Sequence, residues 1–289
     1  MRAVPDCRPV PLGVHVSIGV FVETRMKAWF ASVAALGLAG AALAQGSTTD
    51  EIERYRQMIA DGNPAELYEA QGEELWKKPA GPKNASLEKC DLGLGPGVTK
   101  GAYAQLPRYF ADTDKVQDAE SRILTCMQQL QGIDPQEIIK GRFGSGKRAD
   151  VVAIVTWLSG QSKGMKVSVS PKHPKEKEAY ALGRKAFFYQ AGPHDFSCAS
   201  CHGQDGRRIR LQDLPNIATP EGAAKGWTTW PAYRVSNGQM WSMQHRLNDC
   251  YRQQRFPEPV YASELTIALS YFMAANSNGA TMATPGIKR

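Results

Sequence analysis

The hydrophobic pattern of the chain marks three long apolar stretches. The first runs from Ala28 to Ala41, near the N-terminus. The other two, VVAIVTWLSGQSKG (151–164) and LTIALSYFMAANSNG (265–279), each end in a polar segment that contains glycine. Apolar runs of this length followed by glycine predict buried helices. A mostly helical fold is therefore expected.

The first apolar stretch is typical of a secretory signal peptide. Met26-Lys27 supplies its positive start, and Ala42-Leu43-Ala44 supplies a small-x-small cleavage site. Residues 1–25 lie upstream of this complete signal, so translation is expected to begin at Met26. The stretch is short for a transmembrane helix, and an uncleaved anchor is the alternative. Cleavage after Ala44 predicts a periplasmic protein without membrane attachment.

The charge of the chain adds little to this picture. The 289 residues carry 35 Lys and Arg and 28 Asp and Glu, a net charge of +7. Residues 1–44 hold four of the basic and two of the acidic side chains, which leaves +5 for the exported part. This mild excess favours small anions or acidic proteins over nucleic acid as partners. Arg148 stands where a nucleotide-binding P-loop has Ser or Thr, so ATP binding is not expected.

The segment Cys198-Ala199-Ser200-Cys201-His202 has the C-x-x-C-H spacing of covalent haem attachment. Two cysteines three residues apart reach one edge of the porphyrin, and the histidine that follows ligates the iron. A redox C-x-x-C would follow a strand, whereas residues 183–197 are typical of a helix and a loop. A zinc site would need a second pair of ligands. We therefore predict one covalently bound haem c.

The chain repeats itself with an offset of 111 residues. Residues 72–91 align without a gap with residues 183–202. In the first copy, Leu87 and Asp91 replace the first cysteine and the histidine of the motif, and only Cys90 is kept. A repeat of this length indicates a duplicated unit. The prediction is a mainly α protein of two tandem cytochrome c-like domains, the first without haem.

The domain boundaries follow from this repeat and from composition. The four predicted segments are the upstream residues with the signal peptide (1–44), the haem-less domain (45–165), a charged linker broken by proline (166–178) and the haem-binding domain (179–289).

Two cysteines of the haem-less domain have no haem to bind. In an oxidising compartment Cys90 and Cys126 are expected to form a disulfide, and two unpaired thiols are the alternative.

Spacing alone favours a methionine as the second axial ligand of the iron. Methionine is the usual distal ligand of an electron-transfer cytochrome c, and His245 is a rival. The candidate methionines are Met240, Met243, Met273 and Met282. Trp227 and Trp230 are expected to pack on the porphyrin.

Cys250 is the remaining cysteine of the part that follows the predicted cleavage site. It could be a small buried residue or a free thiol, but an unpaired cysteine in an exported chain needs an explanation. Arg246, Arg252 and Arg255 flank it, and positive neighbours favour a reactive or metal-binding thiolate.

Taken together, these features resemble the SoxA family, the larger cytochrome subunit of SoxAX complexes in bacterial thiosulfate oxidation. The resemblance rests on the signal peptide, the duplicated unit, C-x-x-C-H at 198–202 and R-L-N-D-C-Y-R at 246–252. Loss of the first haem motif matches the one-haem members of that family.

The resemblance implies an activity, a ligand set and partners. His202 and the thiolate of Cys250 would ligate the iron, and Arg246 would bind substrate. The enzyme would be an L-cysteine S-thiosulfotransferase that couples thiosulfate oxidatively to a cysteine of the carrier protein SoxYZ. Its implied partners are a SoxX cytochrome subunit and a soluble cytochrome c that accepts electrons. The alternative is a simple periplasmic electron-transfer cytochrome with His/Met ligation.

Overall fold

A computed structural model describes residue 50, residues 54–55 and 57, and the ranges 62–209 and 212–289. These residues are mainly helical, as predicted, and the predicted signal peptide lies outside them. The helices are α1 (Ala65–Lys77), α2 (Ala119–Cys126), α3 (Pro135–Ile139), α4 (Gly146–Gly160), α5 (Pro174–Phe188), α6 (Cys198–His202), α7 (Pro220–Trp227), α8 (Met243–Gln253) and α9 (Glu264–Asn276). None of these described helices is long and apolar enough to cross a membrane.

Short strands complete the described part of the chain. The strands are β1 (Arg108–Phe110), β2 (Lys115–Gln117), β3 (Arg208–Ile209), β4 (Gln212–Asp213), β5 (Ala232–Arg234), β6 (Gln239–Trp241) and β7 (Gly286–Lys288). β1 pairs with β2 and β3 with β4, each antiparallel. In the third sheet, β5 lies between antiparallel β6 and parallel β7.

The internal repeat corresponds to two copies of one helix crossing, α1 against α4 and α5 against α9. A Cβ atom on Gly72 would lie 2.1 Å from the carbonyl oxygen of Ala153. A Cβ atom on Gly183 would lie 2.0 Å from the carbonyl oxygen of Ala268. Only glycine allows the two backbones of each pair to approach this closely.

The closing helices α4 and α9 form the centre of the core. Residues 151–159 of α4 and residues 266–274 of α9 are all buried. A helix that is apolar on every side must be covered on every side. The two apolar stretches of the sequence therefore mark the middle of each half.

The loop that follows α1 and the loop that follows α5 also have the same structure. Ala80 pairs with Ala85 in the first half, and Ala191 pairs with Phe196 in the second, again 111 residues later. The second loop continues into α6, which carries the haem motif.

In the first half the equivalent loop continues into the core. Leu87 is fully buried, and Cys90 forms a disulfide with Cys126 at an S–S distance of 1.99 Å. This is the pairing that the sequence predicts.

The segment 166–178, predicted to be a charged linker broken by proline, is partly packed against the rest of the chain. The backbone of Lys166 forms an isolated antiparallel β-bridge with Thr281, and the side chain of Val167 is buried. α5 begins at Pro174, inside the predicted linker. Proline is favoured in the first turn of a helix, where its missing N–H is not needed, so here it marks a helix start.

The two halves touch directly through polar contacts between buried residues. The hydroxyl of Tyr103 in the first half donates to the carbonyl oxygen of Trp230 at 3.1 Å. Thr284 Oγ1 donates to Ser159 Oγ at 2.9 Å. Residues of the first half therefore hold the segments around Trp230 and Thr284 in the second half.

Candidate functional site

A cavity of about 680 Å³ lies between α6 and α8, and we call it the α6–α8 cavity. Cys198 and His202 line it from α6, and Arg246 and Cys250 line it from α8. Its volume falls within the ~300–1,000 Å³ of small-molecule and cofactor sites. The structure thus brings together four of the five predicted site residues. The fifth, Cys201, lies on α6 but outside the cavity lining.

The local sequence builds α6 as a short, well-capped helix. The Ser197 hydroxyl accepts from the N–H of Ser200 at 3.1 Å, and the Ser200 hydroxyl accepts from the N–H of Ser197 at 3.0 Å. This capping box fixes the first turn. Cys198 and His202 are four residues apart, so both lie on the same face of the helix.

His202 is held with one ring nitrogen free. Its Nδ1 lies 2.9 Å from the carbonyl oxygen of Pro215, which can only accept, so Nδ1 carries the proton. Burial lowers the pKa of His202, and the neutral ring is the form that binds metal. The lone pair is therefore on Nε2, and the Pro215 contact fixes the orientation of the ring.

α8 presents its two predicted site residues on one face. Arg246 and Cys250 are also four residues apart, and Ser242 caps the helix by accepting from the N–H of His245 at 3.2 Å. Arg246 Nη1 donates to Asp249 Oδ2 at 3.0 Å. The buried Asp249 carboxylate thus anchors the arginine at the cavity wall, a contact that sequence analysis did not anticipate.

The electrostatics of Cys250 differ from the sequence-based prediction. Burial raises the pKa of its thiol, and Arg246 and Arg234 oppose this effect. Arg252 does not line the cavity, its side chain is 62% exposed, and it pairs with Asp249. Of the three flanking arginines, only Arg246 lines the cavity.

Arg234 is a cavity residue that sequence analysis missed. It lies on β5 and lines the cavity, and its Nε is buried without a hydrogen-bond partner. Its guanidinium lies 5.2 Å from the ring centroid of Trp241. No motif surrounds it in the sequence, because its place depends on the pairing of β5 with β6 and β7.

The methionine candidates divide into two groups. Met243 and Met273 line the α6–α8 cavity, so both remain rivals to Cys250. Met240 packs in a small separate cluster, and Met282 is buried outside the cavity lining. Neither of these last two candidates lines the cavity.

His245 is wrong as a candidate ligand. Its ring stacks between Phe143, with ring centroids 4.2 Å apart, and Trp241, with ring centroids 3.9 Å apart. It does not line the cavity. Of the two predicted porphyrin-packing residues, Trp230 lines the cavity, whereas Trp227 is buried outside it.

The residues present fit a haem c. A thiol pair at C-x-x-C spacing is followed by a histidine with free Nε2. Apolar side chains cover part of the wall, among them Phe187, Ile217 and Leu269. This is the donor set and the surrounding that c-type haem requires.

The matching place in the first half is smaller and polar. A pocket of about 380 Å³ is lined by Cys90, Asp91 and Arg122, among others. Arg122 precedes Cys126 by four residues, as Arg246 precedes Cys250. It donates from Nη1 to both carboxylate oxygens of Asp112, at 2.9 and 2.8 Å. A side-chain carboxylate thus satisfies this arginine internally.

Comparison with known proteins bears on these observations. The family model described as SoxA/TsdA, cytochrome c domain, matches residues 71–167 and 182–282. L-cysteine S-thiosulfotransferase subunit SoxA of Hydrogenophilus thermoluteolus is 61% identical over 238 residues, which cover 82% of this chain and 87% of that protein. The subunit of the same name from Hydrogenobacter thermophilus is 36% identical over 272 residues, 91% of this chain and 99% of that protein.

A solved structure shows the same fold. The crystal structure of SoxXA from P. pantotrophus superposes with a TM-score of 0.67 at 22% identity, over 82% of this chain and 84% of that chain. The family model covers both helix-crossing units, and the relatives span most of the chain. The chain belongs to the SoxA/TsdA cytochrome c domain family, and with it to the proteins that bind haem c.

Proposed function

We propose that this chain is the catalytic cytochrome subunit of a periplasmic L-cysteine S-thiosulfotransferase. The observation that carries the proposal is the meeting of the haem motif with Arg246 and Cys250 in one cavity. The relatives that cover most of the chain carry the name of this activity.

The chain is proposed to hold one haem c, attached through Cys198 and Cys201 and ligated by His202 and Cys250. When bound, the haem accepts electrons one at a time. The first half is proposed to hold none. In support, Leu87 replaces the first attachment cysteine and is fully buried, and the thiol of Cys90 is used in the disulfide.

Arg246 is proposed to bind the sulfonate group of thiosulfate. Its planar guanidinium offers several N–H donors, and the Asp249 contact occupies Nη1 and leaves others for an oxyanion. Cys250 lies one turn further along the same helix face, so an anion on Arg246 is held beside the cysteine sulfur.

The proposed chemistry balances in two steps. In the first, the Cys250 thiolate and S₂O₃²⁻ form Cys250–S–S–SO₃⁻ with loss of two electrons. In the second, the thiolate of the carrier cysteine attacks the sulfane sulfur, which forms carrier–S–S–SO₃⁻ and releases the Cys250 thiolate. The second step is a thiol–disulfide exchange, in which the sulfur of Cys250 is the leaving group.

The partners follow from this electron count. Two electrons need a second one-electron acceptor besides a single haem, and we propose that a SoxX cytochrome subunit supplies it. In support, a chain with the same fold occurs in the crystal structure of SoxXA from P. pantotrophus. The carrier is proposed to be SoxYZ, and a soluble cytochrome c the final acceptor.

The proposal is tested by thiosulfate- and carrier-dependent reduction of cytochrome c by the haem-loaded complex. Arg246→Ala removes charge-assisted hydrogen bonds, so kcat/KM for thiosulfate should fall roughly 10- to 100-fold. Arg252→Ala is the matched control, because Arg252 pairs with the same Asp249 from outside the cavity. It should change kcat/KM by less than about fivefold, as expected for an exposed ion pair. Equal effects of the two substitutions would refute the role of Arg246.

The ligand assignment has its own test. The oxidised protein should show the low-spin EPR signal of His/thiolate ligation, and Cys250→Ala should abolish both that signal and turnover. A His/Met signal in the unaltered protein would instead assign the second ligand to Met243 or Met273, which line the same cavity. The electron-carrier alternative would then be favoured.

A further inference from the structure

Two helix N-termini from different halves meet at a pair of buried carboxylates. α2 of the first half starts after Asp118 and carries Glu120, and α8 of the second half starts after Ser242. We call the group formed by Asp118, Glu120, Ser242, Gln244 and Tyr261 the Glu120 cluster. Asp118, Glu120 and Tyr261 are each less than a tenth exposed, and Ser242 and Gln244 are about 1% exposed.

Glu120 is bound mainly by the start of α8. Its Oε1 accepts from the hydroxyl of Ser242 at 2.9 Å and from the hydroxyl of Tyr261 at 2.7 Å. Its Oε2 accepts from the backbone N–H of Gln244 at 3.3 Å. That N–H is one of the first-turn donors that have no partner within a helix.

Asp118 completes the attachment. Its Oδ1 caps α2 by accepting from the N–H of Ser121 at 2.9 Å, and its Oδ2 accepts from Gln244 Nε2 at 2.6 Å. Each carboxylate therefore reaches from α2 to the first turn of α8. The contacts span more than 120 residues of sequence.

We infer that Glu120 is a positioning residue for the catalytic helix: through Ser242 and Gln244, the first half holds the start of α8 and thereby orients Arg246 and Cys250 towards the cavity. Cys250 lies about 9 Å along the helix from Gln244, at ~1.5 Å per residue. A helix this short moves as one body, so a displaced first turn displaces both side chains.

The half without the haem motif would then contribute to the reaction by holding α8 in place. It rests on the proposed function only for the roles of Arg246 and Cys250. The attachment of α8 to α2 is independent of those roles.

A purely structural role must be distinguished from positioning, and the chain offers a matched control. Glu176 is also a buried carboxylate that joins the two halves. Its Oε1 accepts from the N–H of Tyr109 at 2.9 Å, and its Oε2 accepts from the N–H of His173 at 2.9 Å. It caps α5 and makes no described contact with α8.

The experiment compares Glu120→Ala, Glu120→Gln and Glu176→Ala in the haem-loaded complex. The first readout is hydrogen exchange of the α8 first-turn amides of Gln244 and His245. In Glu120→Ala these amides should exchange roughly tenfold faster, as when a helix cap is lost. Glu120→Gln keeps an acceptor of the same shape and should restore protection to within about threefold. Glu176→Ala should leave these two amides unchanged.

The second readout is the EPR spectrum of the oxidised protein, recorded without substrate. Glu120→Ala should broaden or split the low-spin signal, because a displaced α8 no longer holds one ligand geometry, while Glu176→Ala keeps it. If Glu120→Ala does not fold, Glu120→Asp is the variant to test, because its side chain is one methylene shorter and withdraws the carboxylate from α8. It should give the same faster amide exchange and the same altered EPR signal.

Unchanged exchange and an unchanged EPR signal in the folded Glu120 variant would overturn the inference. If the complex lacks thiosulfotransferase activity but Glu120→Ala still frees the first turn of α8, the proposed function fails while the positioning of α8 by Glu120 stands.

Discussion

Replacing Glu120 by glutamine should remove a large part of the pH dependence of folding stability. Glu120 is 3% exposed, and burial and the nearby Asp118 raise its pKa from an ordinary 4.5 to about 8. Other groups that act on it or sense its charge are Arg148, Tyr103 and Tyr261. Burial raises the pKa of both phenols, so neither ionises in this range.

The sign and size of the effect follow from linkage. Because the pKa of Glu120 is higher in the folded than in the unfolded chain, the folded state binds its proton more tightly. Its contribution to stability is complete below pH 4.5 and is lost as the pH rises through about 8. Each pH unit within this window corresponds to ~1.4 kcal/mol, so the free energy of unfolding should fall by at most about 5 kcal/mol across it.

The assay is guanidinium unfolding of the haem-loaded protein at pH 5.5, 7 and 8.5, followed by far-UV circular dichroism. The unaltered protein should lose stability steadily over this series. In Glu120→Gln the amide cannot ionise, so the decline should be smaller by several kcal/mol, and the variant should be the more stable of the two at pH 8.5. An equal decline in both proteins would refute the argument that Glu120 is the buried titrating group.

Two further predictions concern the frame around the site. Gly183→Ala and Gly72→Ala each force a Cβ against a backbone carbonyl and should lower the free energy of unfolding by about 1–3 kcal/mol or more in the same guanidinium assay. Gly62→Ala meets no atom within 4 Å and should be neutral. Stability that follows helix propensity instead would contradict the close approach. Cys126→Ser removes the disulfide with Cys90, which closes 36 residues, and should lower the free energy of unfolding by about 4 kcal/mol. As a check, reduction should destabilise the unaltered protein by a similar amount and should leave the stability of Cys126→Ser unchanged.

Much of the site could be predicted because its chemistry is local. The C-x-x-C-H motif needs only one helical turn, and Arg246 and Cys250 share a helix face through their spacing. The repeat was also readable, since Gly72 and Gly183 occupy the same place in two copies of one helix crossing.

Local patterns misled where a residue's meaning depended on its surroundings. Pro174 suggested a linker but starts α5. Arg252 stands nearer to Cys250 in sequence than Arg246 does, yet it is exposed and does not line the cavity. His245 was a chemically sound ligand, but aromatic rings enclose it on both faces.

The sequence by itself determined the attachment motif, the duplicated helical unit and the helix that carries Arg246 and Cys250, because covalent chemistry and helical periodicity act over a few residues. Only the tertiary structure decided that Arg234 reaches the cavity and that Glu120 binds the start of α8. These contacts join segments far apart in the chain. A buried carboxylate tolerates burial only where donors from a distant element satisfy it, and no local pattern specifies that meeting.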